Sequence, residues 1–207
     1  IWSVLWLAII GMRTQIIDEH QQSSKRSKSG YIVVANHQSY LDVALIFRAI
    51  PFMTRTLAKA EIAKVPLFGY LYKQMTVLVK RDNAASKKKS MLDLKQTIEQ
   101  GVSIFIFPEG TFNETDATFI PFYDGAFKIA LETQTNIVPM LFLDTADRFH
   151  YKGILNWTPG INRVVYLKEI EVANYAVSDY KLLKQDVLLA MNKAMLKYKP
   201  YLKSIVA

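Results

Sequence analysis

A histidine and an aspartate five residues apart form the pair in this sequence best suited to proton transfer. They are His37 and Asp42, in the stretch from Ala35 to Asp42. A histidine can act as a general base, and a carboxylate can orient its ring. A continuous helix does not bring the two together, because side chains meet there at offsets of three and four. We therefore expect His37 in a loop and Asp42 in the first turn of the next helix.

Ser39 agrees with this placement and also with a simpler one. The pattern Ser39-x-x-Asp42 fits a capping box, with Ser39 as the residue that precedes the helix. In the simpler interpretation Asp42 only caps the helix and His37 is an ordinary loop residue. This stretch alone leaves both interpretations open.

A second polar turn follows the apolar run from Val102 to Phe107. It reads Pro108-Glu109-Gly110-Thr111. Proline interrupts the ladder of a strand, and glycine permits a positive φ or the close approach of a ligand. Glu109 is thus predicted at the carboxyl end of a strand, like His37, where α/β proteins bind ligands. The alternative is a tight turn with an exposed acid.

Strands and helices are predicted to alternate along the chain. Short apolar runs predict strands and segments of helical spacing predict helices. The strands are expected at residues 31–34, 52–58, 76–79, 102–107, 137–144 and 163–170, and the helices after Asp42, at 84–100, from Gly125, and from Ser178 to about Tyr198. This alternation predicts an α/β sandwich, with a largely parallel central sheet flanked by helices.

Taken together, these motifs resemble the glycerolipid acyltransferase family, whose best-known bacterial members acylate lysophosphatidic acid. The first family motif, Asn-His-x-x-x-x-Asp, is matched from Asn36 to Asp42, and Phe-Pro-Glu-Gly-Thr from Phe107 to Thr111. An arginine after a strand corresponds to Arg81, and a proline in an apolar strand to Pro139. Lys59-Ala60-Glu61 is similar to the family's Lys-x-Glu region. The motifs occur in the family's order across most of the chain.

The resemblance implies transfer of a fatty acyl group from a thioester to the free hydroxyl of a lysophospholipid. The expected acceptor is 1-acylglycerol-3-phosphate, which would give phosphatidic acid. His37 would be the general base and Asp42 its orienting partner. Acyl-coenzyme A or acyl carrier protein would be a co-substrate, with no cofactor and no metal. The expected substrate-binding residues are Asn36, Lys59, Arg81, Glu109, Gly110 and Thr111. Asn36 is also placed to position the loop.

The sequence departs from the family near the expected acceptor site. Phe112 stands where the family usually has arginine. The family pattern Pro-Phe-Lys-x-Gly reads Pro121-Phe122-Tyr123-Asp124-Gly125, so a second cation is missing and an acid is present. A less anionic acceptor, such as a lyso-aminolipid, is therefore an alternative.

The N-terminal residues are apolar on all sides of a predicted helix. The run from Ile1 to Met12 is too short to span a bilayer, which takes about 20 apolar residues. We expect residues 1–17 to form a membrane-associating helix, either lying in the membrane interface or as a piece of a longer anchor. A buried helix is the alternative. Residues 18–29 are polar and predicted to be a loop, and residues 30–207 are assigned to the acyltransferase domain.

Composition narrows the classes of partner. The chain has 207 residues, no cysteine, three histidines and a formal net charge of +8. The absence of cysteine excludes disulfides, thiolate zinc sites and a cysteine thioester intermediate. The positive charge suits an anionic membrane or an acidic acyl carrier protein, and no nucleic-acid motif accompanies it. By analogy with bacterial relatives, the expected location is the cytoplasmic face of the inner membrane.

Two other classes of function remain as alternatives. A lipid hydrolase would need a nucleophile such as Ser39, but the sequence has no Gly-x-Ser-x-Gly elbow. A non-catalytic lipid-binding protein would keep its function after replacement of His37. The acyltransferase interpretation instead predicts near-complete loss of activity on that replacement.

Overall fold

A mostly parallel sheet organises the computed structural model, which describes residues 2–19, 30–59, 76–79, 84–150 and 157–200. In these ranges seven strands form one sheet in the order β1-β7-β6-β2-β5-β3-β4. The strands are β1 (Met12–Asp18), β2 (Ile32–Ala35), β3 (Thr54–Lys59), β4 (Thr76–Val79), β5 (Ser103–Ile106), β6 (Ile137–Phe142) and β7 (Gly160–Tyr166). β6 and β7 pair antiparallel, and every other neighbouring pair is parallel. The predicted α/β class and largely parallel sheet are confirmed.

Helices cover both faces of this sheet. They are α1 (Trp2–Ile9), α2 (Leu41–Ala49), α3 (Ala84–Glu99), α4 (Gly125–Glu132), α5 (Thr145–Arg148) and α6 (Tyr180–Tyr198), with a 3-10 turn at Val172–Asn174. α1 and α2 share a hydrophobic core with Val33, Phe105 and Tyr166. α3, α4 and α6 share the opposite core with Val34 and Ile104. Since successive strand residues face opposite sides, the central strands are buried on both.

The central strands were predicted from apolar runs, and the structure buries them. β2, β5 and β6 are buried along their whole length. β2 lies between β5 and β6 and runs parallel to both. Their carboxyl ends therefore lie at one edge of the sheet, and the loops that follow β2 and β5 meet there. This edge carries His37 and Glu109.

The N-terminal segment differs from the expected helix over residues 1–17. The helix is only α1, and residues 12–18 form an edge strand that pairs with β7 in parallel register. Gly11 ends the helix in a left-handed conformation, at φ 69°, and its N–H binds the carbonyl of Ala8. The residues after Gly11 mix polar and apolar types, and pairing with β7 holds them as a strand. Residues 12–17 thus belong to the sheet.

α1 packs against the domain through part of its surface. Leu7 is buried in the same core as α2, while Leu5 and Ile9 are exposed. Within the described ranges, no helix combines the length and the hydropathy that crossing a membrane would require. Most of the predicted loop at residues 18–29 lies outside the described residues, apart from Asp18 in β1 and Glu19.

Candidate active site

His37 and Asp42 meet across the turn between β2 and α2. Nδ1 of His37 lies 2.8 Å from Oδ2 of Asp42. His37 lies in the loop and Asp42 is the second residue of α2, as their spacing predicted. Asp42 is fully buried, whereas the His37 side chain keeps 15% of its surface exposed. With a carboxylate at Nδ1, that nitrogen carries the proton, and Nε2 is left as the proton acceptor.

The same carboxylate oxygen also shapes the loop. Oδ2 of Asp42 accepts the backbone N–H groups of Gln38 and Ser39 at 2.8 and 2.9 Å. The predicted capping box is therefore formed on its aspartate side. Its serine side differs, because Ser39 Oγ accepts the N–H of Leu41 and donates to the carbonyl of Phe149. The helix begins at Leu41, so Tyr40 rather than Ser39 precedes it.

Asn36 connects the end of β2 with the end of β6. Its side-chain nitrogen donates to the carbonyl of Phe142, and its side-chain oxygen accepts the N–H of Phe142, both at 2.9 Å. The side chain is fully buried. Asn36 thus anchors the loop, as the sequence suggested. The resemblance implied a substrate contact, whereas the contact seen here is with the backbone of Phe142.

Glu109 is buried beneath the His37 loop. Its Oε1 accepts the N–H of His37 at 3.0 Å, and its Oε2 accepts the N–H of Ile120 at 3.3 Å. Burial raises the pKa of Glu109 to about 8, assisted by the negative charge of Asp42 and opposed by the two N–H groups. The side chain is 1% exposed, so it is not the exposed turn acid that the simpler interpretation described.

Gly110 has a specific structural reason to be glycine. Its φ is 70°, and a Cβ atom there would lie 2.7 Å from Cε2 of the Tyr123 ring. The positive φ that the sequence allowed is confirmed, while the close neighbour is this tyrosine. Thr111 follows on the exposed surface of the turn. Gly110 and Thr111 remain predicted acceptor contacts.

Of the two cations predicted to bind phosphate, the structure describes the backbone position of one. Lys59 is the last residue of β3. β3 runs parallel to β5, so its carboxyl end lies at the same edge of the sheet as His37. Arg81 lies outside the described residues. Both stay predictions for phosphate binding.

Aromatic rings enclose the His37 imidazole, which sequence reasoning did not anticipate. Phe107 stacks on it with centroids 3.7 Å apart, and Phe112 tilts against it at 4.2 Å. Tyr40 meets Phe112 edge-on at 4.9 Å. Phe107 belongs to a motif already singled out, and Phe112 was a noted departure. Both lie beside the His37 ring, so the aromatic residues at these two positions were the available signal for this enclosure.

Asp124, the acid near the expected acceptor site, is paired. Lys184 of α6 donates to its Oδ1 at 2.7 Å. This hydrogen bond and the charge of Lys184 hold the pKa of Asp124 below its ordinary value, against a smaller effect of burial. The acid therefore faces a cation from a distant part of the chain. In the described ranges, no three histidine or acidic side chains come together to hold a metal ion.

Comparisons with known proteins agree with this geometry. A family model described as Acyltransferase matches residues 16–143. A 1-acyl-sn-glycerol-3-phosphate acyltransferase of Cocos nucifera is 36% identical over 60% of this chain and 41% of its own length. One of Limnanthes alba is 31% identical over 89% of this chain and 64% of its own length. The chain thus spans less than two thirds of these relatives.

A solved structure shows the same fold. The crystal structure of the 1-acyl-sn-glycerophosphate (LPA) acyltransferase from Thermotoga maritima superposes with a TM-score of 0.74 over 90% of this chain and 73% of that chain. The two sequences are 21% identical.

Proposed function

Because the chain belongs to the acyltransferase family, we propose that it transfers a fatty acyl group from an acyl thioester to the free hydroxyl of a lysophospholipid. The bond between His37 and Asp42 at the carboxyl edge of the sheet carries this proposal. The names of the relatives favour 1-acylglycerol-3-phosphate as the acceptor. The donor is acyl-coenzyme A or acyl carrier protein, whose acidic surfaces suit a chain of net charge +8.

The proposed chemistry follows from the tautomer of His37, with the proton on Nδ1 and Nε2 free to accept one. Nε2 of His37 takes the proton of the acceptor hydroxyl as its oxygen bonds to the thioester carbon. The carbon–sulfur bond then breaks, and the departing thiolate receives that proton from the imidazolium. Asp42 keeps Nδ1 protonated and stabilises the imidazolium charge. General acid–base help of this kind is worth about 10²–10⁴ in rate.

The N-terminal residues are proposed to meet a membrane surface. Leu5 and Ile9 of α1 expose apolar side chains. A partly exposed apolar helix suits an interfacial position, and the positive charge of the chain suits an anionic lipid surface. The proposed location is the cytoplasmic face of a bacterial inner membrane. Binding to anionic vesicles, compared between the wild type and a Leu5→Asp, Ile9→Asp variant, tests this role of α1.

The Phe112 ring, which lies against His37, favours a second class of acceptor. Phe112 brings an apolar surface, and no charge, to the histidine. Asp124 brings a negative charge, and Lys184 pairs with it. This environment suits an acceptor with less negative charge near the reacting hydroxyl, such as a lyso-aminolipid. Arg81 and Lys59 are the residues that would instead serve a phosphate.

Thiol release from palmitoyl-coenzyme A, titrated with lysophosphatidic acid, tests the proposal. His37→Ala should abolish release, whereas His150→Ala, which changes an exposed histidine, should leave it unchanged. Dependence on His37 but not on lysophosphatidic acid would move the acceptor to the lyso-aminolipids. Release of free fatty acid without an acceptor would indicate a hydrolase. Lipid binding without any turnover would indicate a non-catalytic protein.

A further inference from the structure

Glu109 is a buried acid beside the site, and the proposed reaction steps give it no role. It is 1% exposed, and each of its two oxygens accepts a backbone N–H. The first N–H belongs to His37, in the loop after β2. The second belongs to Ile120, in the long loop after β5. The two loops are thus joined through a single side chain.

Both sides of the His37 backbone are held by the segment that follows β5. Its N–H donates to Glu109, and its carbonyl accepts the N–H of Asn113 at 2.7 Å. Asn113 lies only four residues after Glu109. The backbone that carries the imidazole therefore has two fixed points on one segment, and a shift of this segment would move the ring.

The loop at residues 112–124 is fastened to the same turn. Besides the bond from Ile120 to Glu109, the N–H of Tyr123 donates to the carbonyl of Pro108 at 2.8 Å. The Tyr123 ring covers Gly110 so closely that no Cβ would fit between them. This loop also supplies Phe112, which lies against the imidazole. Ring position and loop position are therefore coupled.

We propose that Glu109 is a positioning residue, which clamps the His37 backbone to the loop at residues 112–124 and does not bind the acceptor. This inference rests on the proposed acyl transfer and deepens it. The clamp sets Nε2 of His37 at the place where the acceptor hydroxyl must arrive. A carboxyl group closed off by protein on all sides has no surface to offer to a glycerol or phosphate group.

The chemistry of the clamp requires a carboxyl group on a side chain of this length, whose oxygens keep acceptor capacity in the ionised and the protonated form. Two N–H donors need two acceptor oxygens. Glutamine offers one oxygen and would point an NH₂ group at the second donor. Aspartate keeps both oxygens but is shorter by one methylene group. Either replacement should release one of the two loops.

Steady-state kinetics separate positioning from acceptor binding. Glu109→Gln and Glu109→Asp should lower kcat about 10²-fold, the effect of a displaced catalytic group, with the KM for lysophosphatidic acid within a factor of two of the wild type. Glu171→Gln, an exposed glutamate outside this edge, is the matched control and should change neither constant. A raised KM with an unchanged kcat would overturn the proposal in favour of acceptor binding.

Amide hydrogen exchange tests the clamp without any turnover. The amide protons of His37 and Ile120 should be protected in the wild type, and at least one should exchange more than tenfold faster in Glu109→Gln. Equal exchange in both proteins would overturn the proposal. A wild type that is inactive on every lysolipid would remove the proposed function, while the exchange result would still decide whether the clamp exists.

A measurement on the wild type alone covers the case in which the variants do not fold. In an NMR titration, the amide resonances of His37 and Ile120 should shift with the same midpoint as the Glu109 carboxyl carbon. Asp42 and His37 are the titratable residues that act on or contact Glu109, and their own side-chain resonances provide the comparison. Amide shifts that follow those resonances and not the Glu109 carboxyl would contradict the clamp.

Discussion

Nδ1 of His37 lies 2.8 Å from Oδ2 of Asp42, and that oxygen also accepts the N–H groups of Gln38 and Ser39. One buried oxygen thus fixes both the ring and the loop that carries it. The other oxygen of Asp42 is buried with no hydrogen-bond partner among the described residues. The two carboxylate oxygens therefore have different surroundings, which makes an amide replacement informative.

Asp42→Asn should separate the charge of this group from its shape. The amide oxygen can still accept the three donors, but it cannot stabilise an imidazolium. We expect kcat to fall by about 10⁴-fold, as in other histidine–carboxylate pairs. The NH₂ group would occupy the unpartnered buried position, so the free energy of unfolding should also fall by about 1–3 kcal/mol. Thiol release and urea unfolding measure the two effects.

Asp93→Asn on α3 is the control for that variant and should retain activity. If Asp42→Asn were as active as the wild type, Asp42 would be a helix cap alone. The simpler interpretation of the sequence would then be correct.

Replacing Asn36 should lower the free energy of unfolding rather than weaken substrate binding. Asn36→Ala removes the partners of both backbone groups of Phe142, in a fully buried position. Unsatisfied buried groups of this kind cost about 1–3 kcal/mol each, so we expect the free energy of unfolding to fall by about 2–5 kcal/mol. Thermal and denaturant unfolding provide the measurement, with the exposed Asn174→Ala as a near-neutral control. A raised KM at unchanged stability would restore Asn36 as a substrate contact.

Phe112→Arg should shift acceptor preference toward anionic lipids. The new guanidinium would lie beside His37, where the phenyl ring now packs 4.2 Å away between centroids. Because arginine pairs strongly with phosphate, we expect kcat/KM for lysophosphatidic acid to rise about tenfold relative to a lyso-aminolipid. Phe112→Leu keeps an apolar contact and should leave this ratio unchanged. If arginine leaves the ratio unchanged too, this position does not face the acceptor headgroup.

Burial of Glu109 predicts a pH dependence of stability. Its folded-state pKa of about 8 lies above the ordinary 4.5, mainly through desolvation, so the folded protein holds this proton more tightly than the unfolded chain. Proton binding at Glu109 therefore favours the folded state. This contribution to the free energy of unfolding is complete below about pH 4.5, falls as the pH rises, and is lost once the pH passes about 8. The shift corresponds to a stability loss on the order of 5 kcal/mol across this range.

Glu109→Gln removes that titration and serves as the comparison. The difference in unfolding free energy between wild type and variant should therefore change with pH between about 4.5 and 8. Urea unfolding at fixed pH values measures it. A difference that stays constant across this range would contradict the raised pKa.

Local patterns in the sequence predicted most of the secondary structure. The buried strands β2, β5 and β6 were evident from apolar runs, because a strand covered on both faces shows no polar alternation. The placement of His37 in a loop and Asp42 in a first helical turn followed from their spacing alone. The N-terminal segment was predicted wrongly beyond Gly11, since an apolar run does not reveal that the residues after it pair with β7.

Residue types and spacing by themselves determined the fold class, the histidine–aspartate pair and the two polar turns that meet at the carboxyl edge of the sheet. Only the tertiary structure decided what those turns contact. Glu109 binds the backbone of His37 across 72 residues of sequence, and Asn36 binds Phe142 across 106. Such partners depend on the order of strands in the sheet, which no local pattern encodes. The charge and size of a side chain limit what it can do, whereas burial and neighbours decide which of those roles it takes.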